Sequence, residues 1–333
     1  MGQTGFTAAL LRWFAQYGRT LPWRGIGDAY GIWVSEVILQ QTRIEQGRDY
    51  WYRFMERFPT VEALAAATED EVLRQWQGLG YYSRARNMHA AARQIVEQGG
   101  FPRTIEGLRT LKGVGDYTAA AVGSMAFGLP AAAVDGNVYR VLARHYGIDV
   151  PINTTRGKHT FEALAREMLP EDQAGTFNQA MMDFGATWCT PRSPHCIDCP
   201  VALTCEALLT GRIDQLPVKE KKLKVKERRF SYIYIRHEGM TALHRRSAGD
   251  IWHGLWEPLL VEDAPLPELG CRLTLLAQGV KHVLTHRILL ADFYLAEPAV
   301  RPLLPEGYIW IKEREIGDYA LPRLVEKLLE QLP

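Results

Sequence analysis

Leu111-Lys112-Gly113-Val114-Gly115-Asp116-Tyr117-Thr118-Ala119 sets two glycines one residue apart at the head of an alanine-rich run. Glycine accepts positive φ and lets backbone approach closely, so the stretch reads as a tight turn that opens a helix. Free N–H groups at such a helix start can hold a phosphate without reading sequence. An ordinary turn between two helices satisfies the same pattern. Further on, Ala133-Val134-Asp135-Gly136-Asn137-Val138-Tyr139-Arg140 puts an aspartate before another helical run, where Asp is a favoured N-cap and needs no chemistry.

The surrounding chain has the same helical character as far as about residue 210. Apolar residues recur at three- and four-residue spacing in Phe6 to Tyr17, Trp33 to Met55, Val61 to Trp76 and Ala85 to Val96. On a helix, Glu36, Gln40 and Arg43 share one face while Val34, Val37 and Ile38 lie largely on the other, a pattern that a solvated polar face also produces. Cys189, Cys196, Cys199 and Cys205 are separated by six, two and five residues. Four crowded cysteines read as a metal site, not as a disulfide framework. Zinc and a [4Fe-4S] cluster both accept four thiolates. Zinc sites usually pair two short knuckles, whereas this chain has a single Cys-x-x-Cys and no histidine in place of a thiolate, which favours the cluster.

With 333 residues the chain exceeds the roughly 250 to 300 at which single cores stop growing, so two domains are expected. A division at 1–210, 211–229 and 230–333 follows from composition. The middle segment carries Lys219, Lys221, Lys222, Lys224, Lys226, Arg228 and Arg229, and reads as a basic linker that either stays solvated or touches DNA. Beyond it, Phe230 to Ile235 and Ile288 to Leu295 have strand composition, and a helix from about Leu321 to Leu332 makes the second domain α+β. The net charge of +1 lacks the basic excess of a general nucleic-acid binder, so any DNA footprint is local. No run approaches the ~18 apolar residues of a membrane span, and neither a secretory leader nor a myristoylation signal is legible. A soluble cytoplasmic protein without membrane contact is expected.

These motifs, in this order, resemble the helix-hairpin-helix DNA glycosylase superfamily of endonuclease III and the MutY-type adenine glycosylases. The cysteine spacing resembles their iron-sulfur motif, and Val134-Asp135-Gly136-Asn137 resembles the setting of their essential aspartate. Within the superfamily, Ser35-Glu36-Val37-Ile38-Leu39-Gln40-Gln41-Thr42 is similar to the MutY-type strings. Tyr117 stands where bifunctional members carry a Schiff-base lysine. Gly254-Leu255-Trp256-Glu257-Pro258 looks like the start of a Nudix segment, without the Arg-Glu and Glu-Glu metal ligands of an active Nudix helix.

The resemblance implies a mainly α helix-hairpin-helix glycosylase domain with an iron-sulfur cluster, followed by an α+β Nudix-like domain that recognises 8-oxoguanine. It implies removal of adenine mispaired with 8-oxoguanine or guanine, from double-stranded DNA, after base flipping. Glu36 would be the general acid at adenine N7 and Asp135 would stabilise or capture the sugar cation, with Tyr117 and Asn137 positioning them. Burial is expected to raise the pKa of Glu36. Gly113 and Gly115 would hold phosphate, Tyr81 and Gln41 would enter the base stack, and Arg24 with Arg19 would line the adenine pocket. Thr285 and His286 fall where the family reads the opposite base, with Leu284 and Thr285 in place of its usual Phe and Ser. Arg192 and His195 are candidates for phosphate contact. A monomeric, nucleoid-associated protein is implied. Two rivals are a bifunctional lyase on oxidised pyrimidines, which Tyr117 disfavours, and a non-enzymatic iron-sulfur DNA-binding module, which the two carboxylates disfavour.

Overall fold

The computed structural model describes residues 3–220, 226–284 and 287–333. The chain forms two compact units, Met1–Ala65 with Ala90–Lys221 and Ala66–His89 with Lys222–Pro333.

The first unit is helical. Helix α1 (Gln3–Tyr17) presents Phe6, Ala9, Leu10 and Trp13 at three- and four-residue spacing to a core that includes Val138, Leu142, Phe161, Phe177 and Phe184. The run expected as one helix from Trp33 to Met55 is two, α2 (Ala29–Ile38) and α3 (Ile44–Arg57). Gln41, in the break between them, has φ 62°, a left-handed conformation that no helix tolerates. Gln40 and Arg43 therefore do not continue the face of Glu36, and the anticipated polar stripe does not form. Helix α2 is buried from Tyr30 through Ile38, and the Asp28 carboxylate caps it by accepting the N–H groups of Tyr30 and Gly31.

The run from Val61 to Trp76 likewise divides, into α4 (Val61–Ala66) and α5 (Glu69–Gln75), because Thr68 and Glu71 form a reciprocal capping box. Helix α6 (Ser83–Glu97) follows. Helices α7 (Ile105–Thr110) and α8 (Asp116–Phe127) flank the glycine turn, where Gly113 takes φ 77°. Helices α9 (Gly136–Tyr146), α10 (Thr155–Glu167) and α11 (Ala174–Asp183) complete the packing. A π-helical turn at Phe184–Trp188 leads from α11 to Cys189, and the short α12 (Glu206–Leu209) follows Cys205.

The second unit is built on a sheet. Strand β1 (Lys226–His237) pairs parallel with β6 (Arg287–Ala296) and antiparallel with β2 (Met240–Arg245) and β4 (Leu259–Glu262), while β3 (Trp256–Glu257) and β7 (Tyr308–Lys312) pair with β2, and β5 (Thr274–Val283) pairs with β6. The expected linker thus becomes strand from Lys226 onward. Alternation along β1 assigns Phe230, Tyr232 and Tyr234 to one core with Leu289, Ala291, Phe293 and helix α13 (Arg323–Leu329), and Ile233 and Ile235 to another with Leu259 and Ala296. The segment 66–89, within the first domain of the sequence division, belongs to this unit. Thr285 and His286 lie outside the described residues. Among the described residues no helix is long and apolar enough to cross a membrane.

Candidate active site

A cavity of about 1570 Å3 in the helical unit is lined by Glu36, Tyr117, Asp135 and Asn137, together with Arg24, Gln41, Gly113 and Gly115. Residues more than a hundred positions apart in sequence thus line one cavity. The volume exceeds the ~300–1,000 Å3 of ordinary small-molecule pockets, enough for a nucleotide with its flanking backbone.

Glu36 is nearly inaccessible to solvent and its carboxyl is pushed up to about 7. Burial is the main cause and the charge of Asp135 adds to it; the Tyr117 hydrogen bond and Arg24 act in the opposite direction. The Tyr117 hydroxyl donates to Glu36 Oε2 at 2.7 Å, which leaves Oε1 to carry a proton. Burial also raises the pKa of Asp135, against hydrogen bonds from Val138 and Asn137 and the charge of Arg140. Asp135 is indeed the N-cap of α9, its Oδ1 accepting the N–H groups of Asn137 and Val138 at 2.9 and 2.8 Å. Its Oδ2 accepts Asn137 Nδ2 at 2.8 Å. Capping and placement in the cavity are therefore compatible, because the cap fixes the carboxylate at the cavity wall.

Three groups that support this constellation are not obvious from local sequence. Asp183, with its side chain fully buried at the end of α11, accepts from Arg24 through both oxygens at 2.7 Å and is paired with Arg19. Arg24 and Arg19 both line the cavity, with their guanidinium groups held by this carboxylate. An acidic residue ending an apolar helix was a signal for Asp183, though its partners lie about 160 residues away. Arg140 donates to Asn137 Oδ1 at 2.8 Å, to Gly185 O at 2.6 Å and to Cys189 O at 2.8 Å. Gly185 in the π-helical turn allows that approach, since a Cβ there would lie 2.6 Å from the Asn137 Cβ.

Gln41 and Tyr81, the two residues expected to enter the base stack, are both exposed and both left-handed, with φ 62° and 46°. Such conformations cost non-glycine residues about 1–3 kcal/mol and concentrate at functional sites. Gln41 lines the cavity, and Tyr81 belongs to the second unit. Beside the glycine turn, Gly115 caps α8, whose first N–H groups face no side-chain acceptor from that cap.

Cys189, Cys196, Cys199 and Cys205 line one small cavity of about 30 Å3, walled by Trp188, Val201 and Ile213. Burial pushes the Cys199 thiol up to about 12, and the neighbouring thiols add to the shift. Arg144 is buried and donates to Cys189 Sγ at 3.5 Å, with its other hydrogen bonds going to the carbonyls of Thr190, Pro191, Ile213 and Leu216. Four thiols lining one cavity beside a buried cation have the donor chemistry of an anionic thiolate-ligated centre. Among the described residues no three His, Cys, Asp or Glu side chains are gathered as a single-ion site. Cys271 lies elsewhere, against the Ile233 core.

Residues 34–169 match the HhH-GPD superfamily of base excision DNA repair proteins, and residues 231–331 match the NUDIX domain. The helical unit is accordingly of the HhH-GPD class. An adenine DNA glycosylase of Buchnera aphidicola from Acyrthosiphon pisum is 30% identical over 98% of this chain and 97% of its own length. The chain belongs to the MutY-type adenine DNA glycosylase family. The Mus musculus adenine DNA glycosylase is 43% identical over 64% of this chain, which spans only 44% of that protein's length. Among solved structures, a thermostable thymine-DNA glycosylase superposes with a TM-score of 0.58 at 29% identity, over 62% of this chain and 97% of that one.

Proposed function

We propose that the chain is a monofunctional DNA glycosylase that hydrolyses the N-glycosidic bond of adenine mispaired with 8-oxoguanine or guanine, once the adenine is extruded from the duplex. The observation that carries this reading is the pairing, in one cavity, of a carboxyl with a pKa of about 7 and a second carboxylate fixed as a helix cap. Glu36 gives its proton to adenine N7, so the base leaves neutral as the C1′–N9 bond breaks. Asp135 faces the positive charge that develops on the sugar, and a water then adds to C1′ and gives its proton to the Glu36 carboxylate, which restores the acid. Tyr117 holds the Glu36 carboxyl, and Arg140 fixes the Asn137 amide that donates to Asp135. Gln41 and Tyr81 fill the space the base vacates, and Gly113 and Gly115 hold backbone phosphate. Thr285 and His286 read the opposite base.

Single-turnover assays on duplexes carrying adenine opposite 8-oxoguanine, guanine or thymine test the reading: fastest release is expected opposite 8-oxoguanine and slowest opposite thymine. Base release should outpace strand cleavage, and borohydride should trap little covalent complex, because Tyr117 offers no amine. The cavity wall does contain one lysine, the exposed Lys158. Efficient trapping abolished by Lys158→Ala would replace the monofunctional reading with a lyase.

We infer further that the four clustered cysteines hold a [4Fe-4S] cluster, with Arg144 balancing its negative charge. When bound, the group supplies structural cross-linking and no chemistry on the base. The protein should purify brown with about four iron and four acid-labile sulfide per chain. Cys271→Ser should keep the iron and Cys199→Ser should lose it; stoichiometric zinc from iron-replete cells would refute the assignment.

A further inference from the structure

We propose that the Nudix-like unit carries and positions the loop that bears Tyr81, with Arg245 as a positioning residue, so that reading the opposite base and inserting the wedge are mechanically linked. The inference rests on the proposed wedge role of Tyr81 and adds the device that holds it.

The loop is shaped locally by Gly78 and Gly80, with φ 92° and 71°, which fold it back so that the buried Trp76 donates through Nε1 to Gly80 O at 3.0 Å. Arg84 donates to the Leu79 and Gly80 carbonyls, and its guanidinium lies 5.1 Å from the Trp76 ring centroid and 5.7 Å from that of Tyr81. Both flanks are tied to the β-rich fold. On one side, the Arg245 guanidinium of β2 donates to Glu69 Oε1 and Asp70 Oδ1, each at 3.0 Å, at the start of α5, and Gln77 is bonded to Glu326 of α13. On the other, the buried Tyr82 hydroxyl donates to Leu321 O at 3.4 Å, and Arg86 is bonded to the His253 carbonyl. Gly254, at the left-handed φ of 82°, lies against the same segment, where a Cβ would be 3.3 Å from the Glu69 carboxylate and in ordinary contact with Leu73 and Arg86. The Tyr81 ring, about half exposed, stands at the tip of this braced loop. Ties on both flanks would transmit a displacement of the reader fold to the loop.

The test is a double-mutant cycle on the full-length protein. Arg245→Glu opposes a carboxylate to Glu69 and Asp70 and should slow adenine release opposite 8-oxoguanine about tenfold, with a matching loss of the fluorescence rise of 2-aminopurine placed beside the mispair. Adding Glu69→Arg and Asp70→Arg should restore both signals to within about twofold. In a Tyr81→Ala background Arg245→Glu should change either signal by less than about twofold. A loss of the same size with and without Tyr81 would show that Arg245 acts by direct DNA contact and would overturn the proposal, as would no loss in the parent. Gln77→Ala, taken through the same cycle, decides if Arg245→Glu does not fold. The fluorescence arm needs no excision: failure to release adenine from any duplex would refute the glycosylase reading, and the 2-aminopurine signal would still decide whether the loop is positioned this way.

Discussion

Replacing Glu36 by Gln should slow adenine release by at least about a hundredfold, the usual scale for loss of a general acid, while mismatched duplex is still bound. The substitution keeps the shape and leaves an acceptor for the Tyr117 hydroxyl, so the loss isolates the proton. In the parent protein the rate should fall above a pH of about 7, where Glu36 deprotonates, and should also fall in acid as Asp135 takes up a proton. The two carboxyls interact, so the limbs belong to the pair. Glu36→Gln should remove the alkaline limb. A stability effect of opposite sign follows from linkage. The folded pKa of about 7 lies above the ordinary value of 4.5, so the native state binds this proton more tightly and the contribution of Glu36 to stability declines as pH rises from about 4.5 through 7. At pH 8 Glu36→Gln should therefore be more stable than the parent by on the order of 3 kcal/mol, with the difference vanishing near pH 4. Urea unfolding at the two pH values measures it. Near-normal excision, or no stability gain at pH 8, would remove Glu36 from the proposed mechanism.

Asp183→Ala should destabilise the helical unit by about 3–5 kcal/mol at neutral pH, because two guanidinium groups lose the buried carboxylate that pairs them. Arg19 and Arg24 keep partial solvent access, which places the expected loss toward the lower end. Burial opposes ionisation of Asp183, but hydrogen bonds from Arg24 and Arg19 outweigh it and leave the pKa below the usual carboxylate value. Its stabilisation is thus present above about pH 4 and is lost as pH falls through the depressed folded value. The difference between parent and variant should narrow in acid. Excision should decline as well, since both arginines line the cavity; Asp183→Asn, which keeps the shape and removes the charge, should show an intermediate loss. A penalty below about 1 kcal/mol would mean that the arginines simply turn to water, as surface pairs do.

Much of the architecture was legible in the chain itself. Period-3.6 patterning marked the helices, β-branched and aromatic runs marked β1 and β6, and the motifs around Glu36, Gly113, Asp135 and the cysteines identified the family. Those features are local, and a run of a dozen residues carries them. Local reading erred where a single backbone conformation interrupts an apolar pattern: at Gln41, which divides α2 from α3, and at the Thr68 capping box. It also left open whether Asp135 is a cap or a site residue, since both need the same residue before a helix; packing sets the capping carboxylate at the cavity wall.

What tertiary structure alone decided are the pairings between distant residues. Arg24 finds Asp183, Arg140 finds Gly185 and Cys189, and Tyr117 finds Glu36, because segments far apart in sequence pack side by side. The pKa of Glu36 has the same origin: the glutamate is local, but burial and a carboxylate 99 residues away set its charge. Membership of the 66–89 segment in the β-rich unit is likewise non-local, since Arg245, His253 and Leu321 hold it. Sequence periodicity specifies which face of an element is buried, and the chemistry of a site depends on what that face meets.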